Sequence, residues 1–260
     1  MASGTEQGMI WGARANDWAE CNEPAWHDLF SAVLDHAGLG PGDAMLDVGC
    51  GAGGALVLAG GRGASVAGLD AAASLVAIAR RRLPQAEIEV GEMEQLPFAS
   101  GRFDLVTGIN SFQFASNPVN ALREAGRVCR PGGTVAMLAW GKRENCELLM
   151  RVMPAVFSLL PPPPPDAPKP LPLAEPGVVE GMMVEAGLEP QGTVELPGVL
   201  AFPELDTAVR AVLSACARAI AHAGEARVRD GVAAALAPMV TADGRVELHN
   251  IFRLTKATRH

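Results

Sequence analysis

Residues 44–54 read AMLDVGCGAGG. Five residues of strand-forming character (44–48) deliver the chain into a run of glycines at 49, 51, 53 and 54, and a helical pattern resumes at once. A strand that ends in a glycine-rich turn opening a helix is the phosphate- or carboxylate-binding corner of a parallel α/β sheet. Glycine lets the backbone turn tightly and approach a ligand with no Cβ in the way, and the helix N-terminus presents free N–H groups. Gly49, Gly51 and Gly54 also satisfy G-x-G-x-x-G, so this corner alone does not choose between a nicotinamide dinucleotide and another adenosine-bearing ligand.

Working outward, short apolar runs alternate with amphipathic stretches. Strands are predicted over 65–69, 86–90, 103–109 and 134–140, and helices over 72–83 and from about 118 to 130. Pro118 stands in the first turn of the latter helix, and Arg127 and Arg130 complement its C-terminal dipole. A helix over 24–37 precedes this core, with Trp11 and Trp18 upstream of it. After residue 140 the alternation breaks: a helix over 147–160 runs into the proline run 161–172. The pattern then returns with a helix over 175–186, a strand over 194–202, two amphipathic helices striped by 209–220 and 228–239, and a last strand over 246–255. The expected fold is a Rossmann-like, doubly wound, mostly parallel seven-stranded sheet. Its expected parts are an N-terminal helical lid (1–40), a cofactor-binding core (41–140), a proline-rich cap (141–174), and a C-terminal part of the sheet (175–260) with a helical insertion near 203–241.

Composition narrows the function. The net charge is −8, with 18 Arg against 3 Lys, which disfavours nucleic-acid phosphates as the default partner and favours a small molecule. Five cysteines stand singly, with neither C-x-x-C spacing nor a disulfide framework, and no metal site is expected. No apolar window reaches about 18 residues, so a cytoplasmic protein without membrane contact is expected.

Asp70, closing the second strand, fits either reading, since both cofactors have ribose hydroxyls for a carboxylate to grip. Three further features separate them: Asp47 inside the end of the first strand, Glu92-Met93 after the third, and Arg130-Pro131-Gly132-Gly133 leading into the fifth. With LDVGCGAGG, GLDAAASLVAIARRR, GEMEQLPFASGRFDLVTGINSFQF and ALREAGRVCRPGGTVAMLAW in that order and spacing, residues 44–140 resemble the class I S-adenosylmethionine-dependent methyltransferases. The likeness is greatest to the small-molecule branch that includes the ubiquinone and menaquinone biosynthesis enzymes. The resemblance implies S-adenosyl-L-methionine as cofactor and a small-molecule methyl acceptor. It puts Asp47, Gly49, Cys50, Gly51 and Gly53 around the methionine end of the cofactor, and Asp70 on the ribose hydroxyls with Ala71 beside the adenine. Glu92 and Met93 would hold the adenine edge, where the family more often has Asp than Glu. Asn110, Ser111 and Gln113 would lie near the sulfonium, and Trp11 and Trp18 resemble aromatic lid residues.

Other readings of these residues stand beside the functional ones. Asp70 also suits a helix N-cap, and Trp11 and Trp18 also suit core packing. No general base is legible. His249 falls on the solvent side of its strand, His260 is terminal, and His222 suits a helix C-terminus. His27 is a weak catalytic candidate on the helix expected to border the pocket. The segments expected to form the acceptor cavity, 141–172 and the N-terminal Trp region, are rich in Leu, Val, Met and Pro, which points to an apolar or aromatic acceptor. Two other functions share the corner: a NAD(P)-dependent oxidoreductase, and a protein that binds S-adenosylmethionine without transferring methyl. The chain has no tyrosine, which removes the tyrosine–lysine pair of short-chain dehydrogenases.

Overall fold

The computed structural model describes residues 3–162 and 170–260. Seven strands form one sheet in the order β3-β2-β1-β4-β5-β7-β6. β1 (Ala44–Val48), β2 (Ser65–Asp70), β3 (Glu87–Val90), β4 (Phe103–Ile109) and β5 (Cys129–Trp140) run parallel. β7 (Val246–Thr258) inserts antiparallel between β5 and β6 (Glu189–Phe202).

Both faces of the sheet are covered, as a parallel sheet requires. Met45 packs into the core beneath α3 (His27–Ala37) and α4 (Gly54–Gly61), while its neighbours Leu46 and Val48 pack into the opposite core. Preceding these, α1 (Ser3–Gly12) and the single turn α2 (Ala15–Asp17) lead into a π-helical turn, Trp18–Asn22. α5 (Ala73–Arg82) follows β2; α6 (Pro118–Val128) is capped by the Asn117 side chain on the N–H groups of Val119 and Asn120. α7 (Met153–Phe157) and α8 (Val178–Glu185) come before β6; α9 (Leu205–Leu213), α10 (Ala217–Ala223) and α11 (Glu225–Leu236) lie between β6 and β7. Among the described residues, no helix is long and apolar enough to cross a membrane.

Several boundaries differ from the sequence reading. β5 begins at Cys129, where Cys129 pairs with Phe103 across a register shift, so Arg130 is extended and its Nε meets Asp104 Oδ1 at 2.5 Å instead of serving a helix end. The helix expected over 147–160 is a π turn (Leu148–Val152) followed by α7, because Pro154 has no N–H to continue a regular ladder. The stripe 209–220 is two helices broken at Ser214, whose Oγ donates to Ala211 O at 2.6 Å and accepts from Asn22 Nδ2 at 3.3 Å. β6 extends back to Glu189 through Pro190, which an edge strand tolerates. Of the proline run, residues 163–169 lie outside the described residues.

Candidate active site

β1 lies in parallel register with Gly68 of β2 and Thr107 of β4 on either side of Asp47. Asp47 is only 2% exposed. Thr107 Oγ1 donates to its Oδ1 at 2.6 Å. Burial, with the like charges of Asp70 and Glu23 nearby, pushes Asp47 up to about 7, against the pull of that hydroxyl.

Beyond Asp47 the chain makes its turn. The N–H groups of Gly49 and Cys50 both donate to Leu69 O, at 2.7 and 3.0 Å, which ties the corner to β2. Gly49 has φ +80°, and a Cβ there would stand 2.4 Å from Ser111 Cβ. Gly53 has φ +86° and faces Ala79 of α5, so it serves helix packing and is not on the cavity wall. The Cys50 thiol is buried, and that burial among carboxylates keeps it protonated.

Asp70 fastens the corner from the other side. Its Oδ2 accepts from Gly51 N–H at 2.9 Å and its Oδ1 from Ala72 N–H at 2.8 Å. Burial raises its pKa, while these N–H groups lower it. Asp70 is therefore not the N-cap of α5, a place held by Ala72 without a side-chain bond; its carboxylate ties the loop after β2 to the glycine corner and lines the cavity. One loop further, Glu92 and Met93 line the same cavity, and Glu92 Oε2 accepts from Gly4 N–H of α1 at 3.0 Å. α1 lies close over this end: a Cβ on Gly8 would stand 2.4 Å from Ala71 O.

The aromatic residues close the mouth. Trp11 meets Trp18 and Phe114 edge to face, with centroids 5.3 and 5.2 Å apart. Asn110, at the end of β4, has φ +56°, the only positive value of a non-glycine residue among the described residues. Gln113 Nε2 donates to Asn110 Oδ1 at 2.5 Å, so Gln113 backs Asn110 and does not itself line the cavity. Ser111 Oγ donates to Val48 O at 2.5 Å.

Twelve residues singled out by sequence thus surround one cavity: Trp11, Trp18, Asp47, Gly49, Cys50, Gly51, Asp70, Ala71, Glu92, Met93, Asn110 and Ser111. Gly53 and Gln113 stand behind it. His27 is a correction: it starts α3 with its side chain 61% exposed beside Asp28, and it lines neither this cavity nor the adjoining one.

Glu23 went unseen in the sequence. It is 6% exposed, its Oε1 accepts from Ala52 N–H at 2.7 Å, and its Oε2 pairs with Arg82 at 2.5 Å. Burial raises its pKa while Arg82 and the N–H groups of Ala52 and Gly54 draw it down. Its position before Pro24 signals only a helix start; the partner that permits its burial is far along the chain.

A second cavity adjoins the first and shares Gln7, Trp11, Trp18, Trp26, Asn110 and Phe114 with it. The segment 148–160 supplies Leu148, Met153, Val156, Phe157 and Leu160 to its wall. The opposite wall, from Leu200 and Phe202 of β6 to Val212, Cys216 and Ala219, was not foreseen, because helix stripes do not reveal which cavity they face. The one charged residue on this wall among the described residues is Arg218, which is exposed and paired with Glu6 of α1. Burial holds the Cys216 thiol near 12, so it is not a base at neutral pH.

A family model described as a methyltransferase domain matches residues 46–137. The demethylmenaquinone methyltransferase of Renibacterium salmoninarum is 31% identical over 131 residues, 48% of this chain and 55% of that one. The chain spans about a third to a half of the length of the curated relatives it matches. Among solved structures, the [4+2]-cyclase SpnF superposes with a TM-score of 0.58 at 21% identity, covering 90% of this chain and 81% of that one. Geranyl diphosphate C-methyltransferase from Streptomyces coelicolor, in complex with Mg2+, geranyl diphosphate and S-adenosyl-L-homocysteine, gives 0.54 at 18% identity, covering 90% and 79%. Residues 46–137 therefore match a methyltransferase domain, set in a sheet whose fold these solved structures share.

Proposed function

We propose that this protein transfers the methyl group of S-adenosylmethionine to a small apolar or aromatic acceptor. The observation that carries this reading is the shared wall. A cavity over the glycine corner that bears Asp47, Asp70 and Glu92 meets a second cavity, without carboxylates on its wall among the described residues, at Trp11, Asn110 and Phe114.

The residues present fit the cofactor. Asp70 would receive the ribose hydroxyls with whatever acceptor capacity its two N–H bonds leave, Ala71 and Met93 would flank the adenine, and Asp47 would face the methionine end. Bound S-adenosylmethionine supplies the electrophilic methyl carbon. The chain's task is then alignment and exclusion of water, which the aromatic wall and α1 perform. No side chain on the second cavity wall, among the described residues, is a general base at neutral pH. The fitting acceptor therefore has a nucleophilic lone pair or electron-rich carbon without needing a proton removed by the enzyme.

The sheet order also separates this reading from the oxidoreductase alternative. A dinucleotide-binding Rossmann sheet runs 3-2-1-4-5-6, whereas here an antiparallel β7 is inserted beside β5. The test is incubation with methyl-labelled cofactor and a panel of apolar aromatic alcohols, amines and thiols, followed by product mass. Label transfer to one acceptor class is the expected result. Cofactor binding without transfer to any class would favour the non-methylating alternative.

A further inference from the structure

Three side chains on the wall of the second cavity keep N–H groups without a partner among the described residues. Gln7 accepts from the Trp11 indole at its Oε1, at 2.9 Å, which leaves its Nε2. Asn110 accepts from Gln113 at its Oδ1, which leaves its Nδ2, and the Trp140 indole donates to no described group. None of these three nitrogens is sealed inside the protein.

The other polar groups of that wall are engaged. The Asn22 amide donates to Ala211 O and accepts from the Trp26 indole, and the Trp18 indole donates to Glu23. The Cys216 thiol donates to Val212 O, and Arg218 pairs with Glu6. Carboxylates and imidazoles are absent from the wall among the described residues; Asp47, Asp70 and Glu92 line the first cavity alone. Such a wall suits an oxygen that accepts hydrogen bonds. It leaves the N–H of an amine or the O–H of an alcohol without a carboxylate to receive it.

Asn110 and Trp140 stand at the ends of adjacent parallel strands, β4 and β5. Asn110 N–H donates to Leu138 O at 3.0 Å, two residues before Trp140. Asn110 holds φ +56° there, and Gln113, which aligns its amide, has a buried Oε1 without a partner among the described residues. Both are local costs of the kind that gather at functional sites.

We propose that Asn110 and Trp140 hold the nucleophilic oxygen of the acceptor as an oxyanion. The site thereby selects an acidic hydroxyl compound, a phenol or enol that ionises before it binds, over amines and neutral alcohols. This rests on the methyltransferase reading above. Two N–H donors favour the charged form of that oxygen where the wall offers no base. The acceptor proton leaves to water on ionisation. A lone pair of the oxygen then forms the bond to the methyl carbon, and the C–S bonding pair moves onto sulfur, which becomes a neutral thioether.

The experiment titrates 4-nitrophenol, whose ionisation shows in its visible absorbance, into the full chain saturated with sinefungin. That analogue carries an amine in place of the sulfonium and cannot transfer methyl. The anion is expected to bind roughly tenfold more tightly than the neutral phenol, so that the bound phenol ionises about one pH unit lower than in water. The isosteric 4-nitroaniline should bind more weakly by roughly tenfold or more. Trp140→Phe, which keeps a ring against Trp26 and Phe252, should narrow the preference for the anion, and Asn110→Asp, which keeps the Gln113 contact, should abolish it. A phenol that does not bind, that ionises when bound as it does in water, or that binds no better than the aniline would overturn the inference alone. So would a preference that survives both substitutions. Failure of sinefungin to bind would overturn the methyltransferase reading, and the inference with it.

Discussion

Gly49 and Ser111 stand so close that a Cβ on the glycine would lie 2.4 Å from Ser111 Cβ, at the point where β1 and β4 open toward the cavity. Ser111 cannot retreat freely, because its hydroxyl is bonded to Val48 O. Gly49→Ala must therefore spread the two strand ends and adopt φ +80° with a side chain. The expected outcome is a loss of about 1–3 kcal/mol in stability by denaturant titration. Cofactor affinity should fall at least tenfold by calorimetry, and an unchanged affinity would show that the corner is not part of the site.

Asp70→Ala removes an acceptor for ribose hydroxyls and two backbone bonds at once. Cofactor binding should weaken by roughly 1.5–3 kcal/mol, and stability should drop by about 1–3 kcal/mol. Calorimetry and a thermal melt read the two effects separately. A folded variant with unaltered affinity would remove Asp70 from the site.

Asp47 gives a pH dependence whose sign is fixed by geometry. Thr107 of β4, Asp70 of β2 and Glu23 face it, and none is a cation. Its folded value, about 7, lies above the ordinary 3.8, so folding favours the neutral form. That contribution to the stability of the free protein is complete below pH about 4 and is lost progressively as the pH rises to about 7. Affinity for a cationic ligand moves the other way, rising until pH about 7 and then levelling. Asp47→Asn should flatten both profiles and raise the melting temperature of the free protein at pH 8. Melting curves and titrations across that range provide the check.

The second cavity is tested by filling it. Met153→Trp should lower kcat/KM for the acceptor by roughly tenfold or more while leaving cofactor affinity within about twofold, since the residue lines only that cavity. His27→Ala should leave turnover unchanged, because the imidazole is exposed and lines neither cavity. A strong loss of turnover in His27→Ala with the fold intact would restore it as a catalytic candidate.

What could be read from the sequence was local. β1, its glycine turn and the acidic residue ending β2 announce themselves because an apolar run, glycines and an acid follow one another within 27 residues, 44–70. Asn117-Pro118 marks the start of α6 for a similarly local reason. Glu23 was hidden because its burial depends on Arg82, 59 residues away in the chain. The break at Ser214 was hidden because Asn22, 192 residues away, is what engages its hydroxyl. His27 looked well placed on a helix expected to border the pocket, yet helical phase turns it outward, while Trp26 before it and Phe30 after it reach the cavity.

The central claim is tested most directly by calorimetric titration of the purified, ligand-stripped protein with S-adenosylmethionine, with NADH and NADPH as controls. The account predicts saturable binding of the adenosyl sulfonium ligand, accompanied by a change in the fluorescence of Trp11 and Trp18, and no response to either nicotinamide. Saturable binding of a nicotinamide dinucleotide with none of S-adenosylmethionine would contradict it.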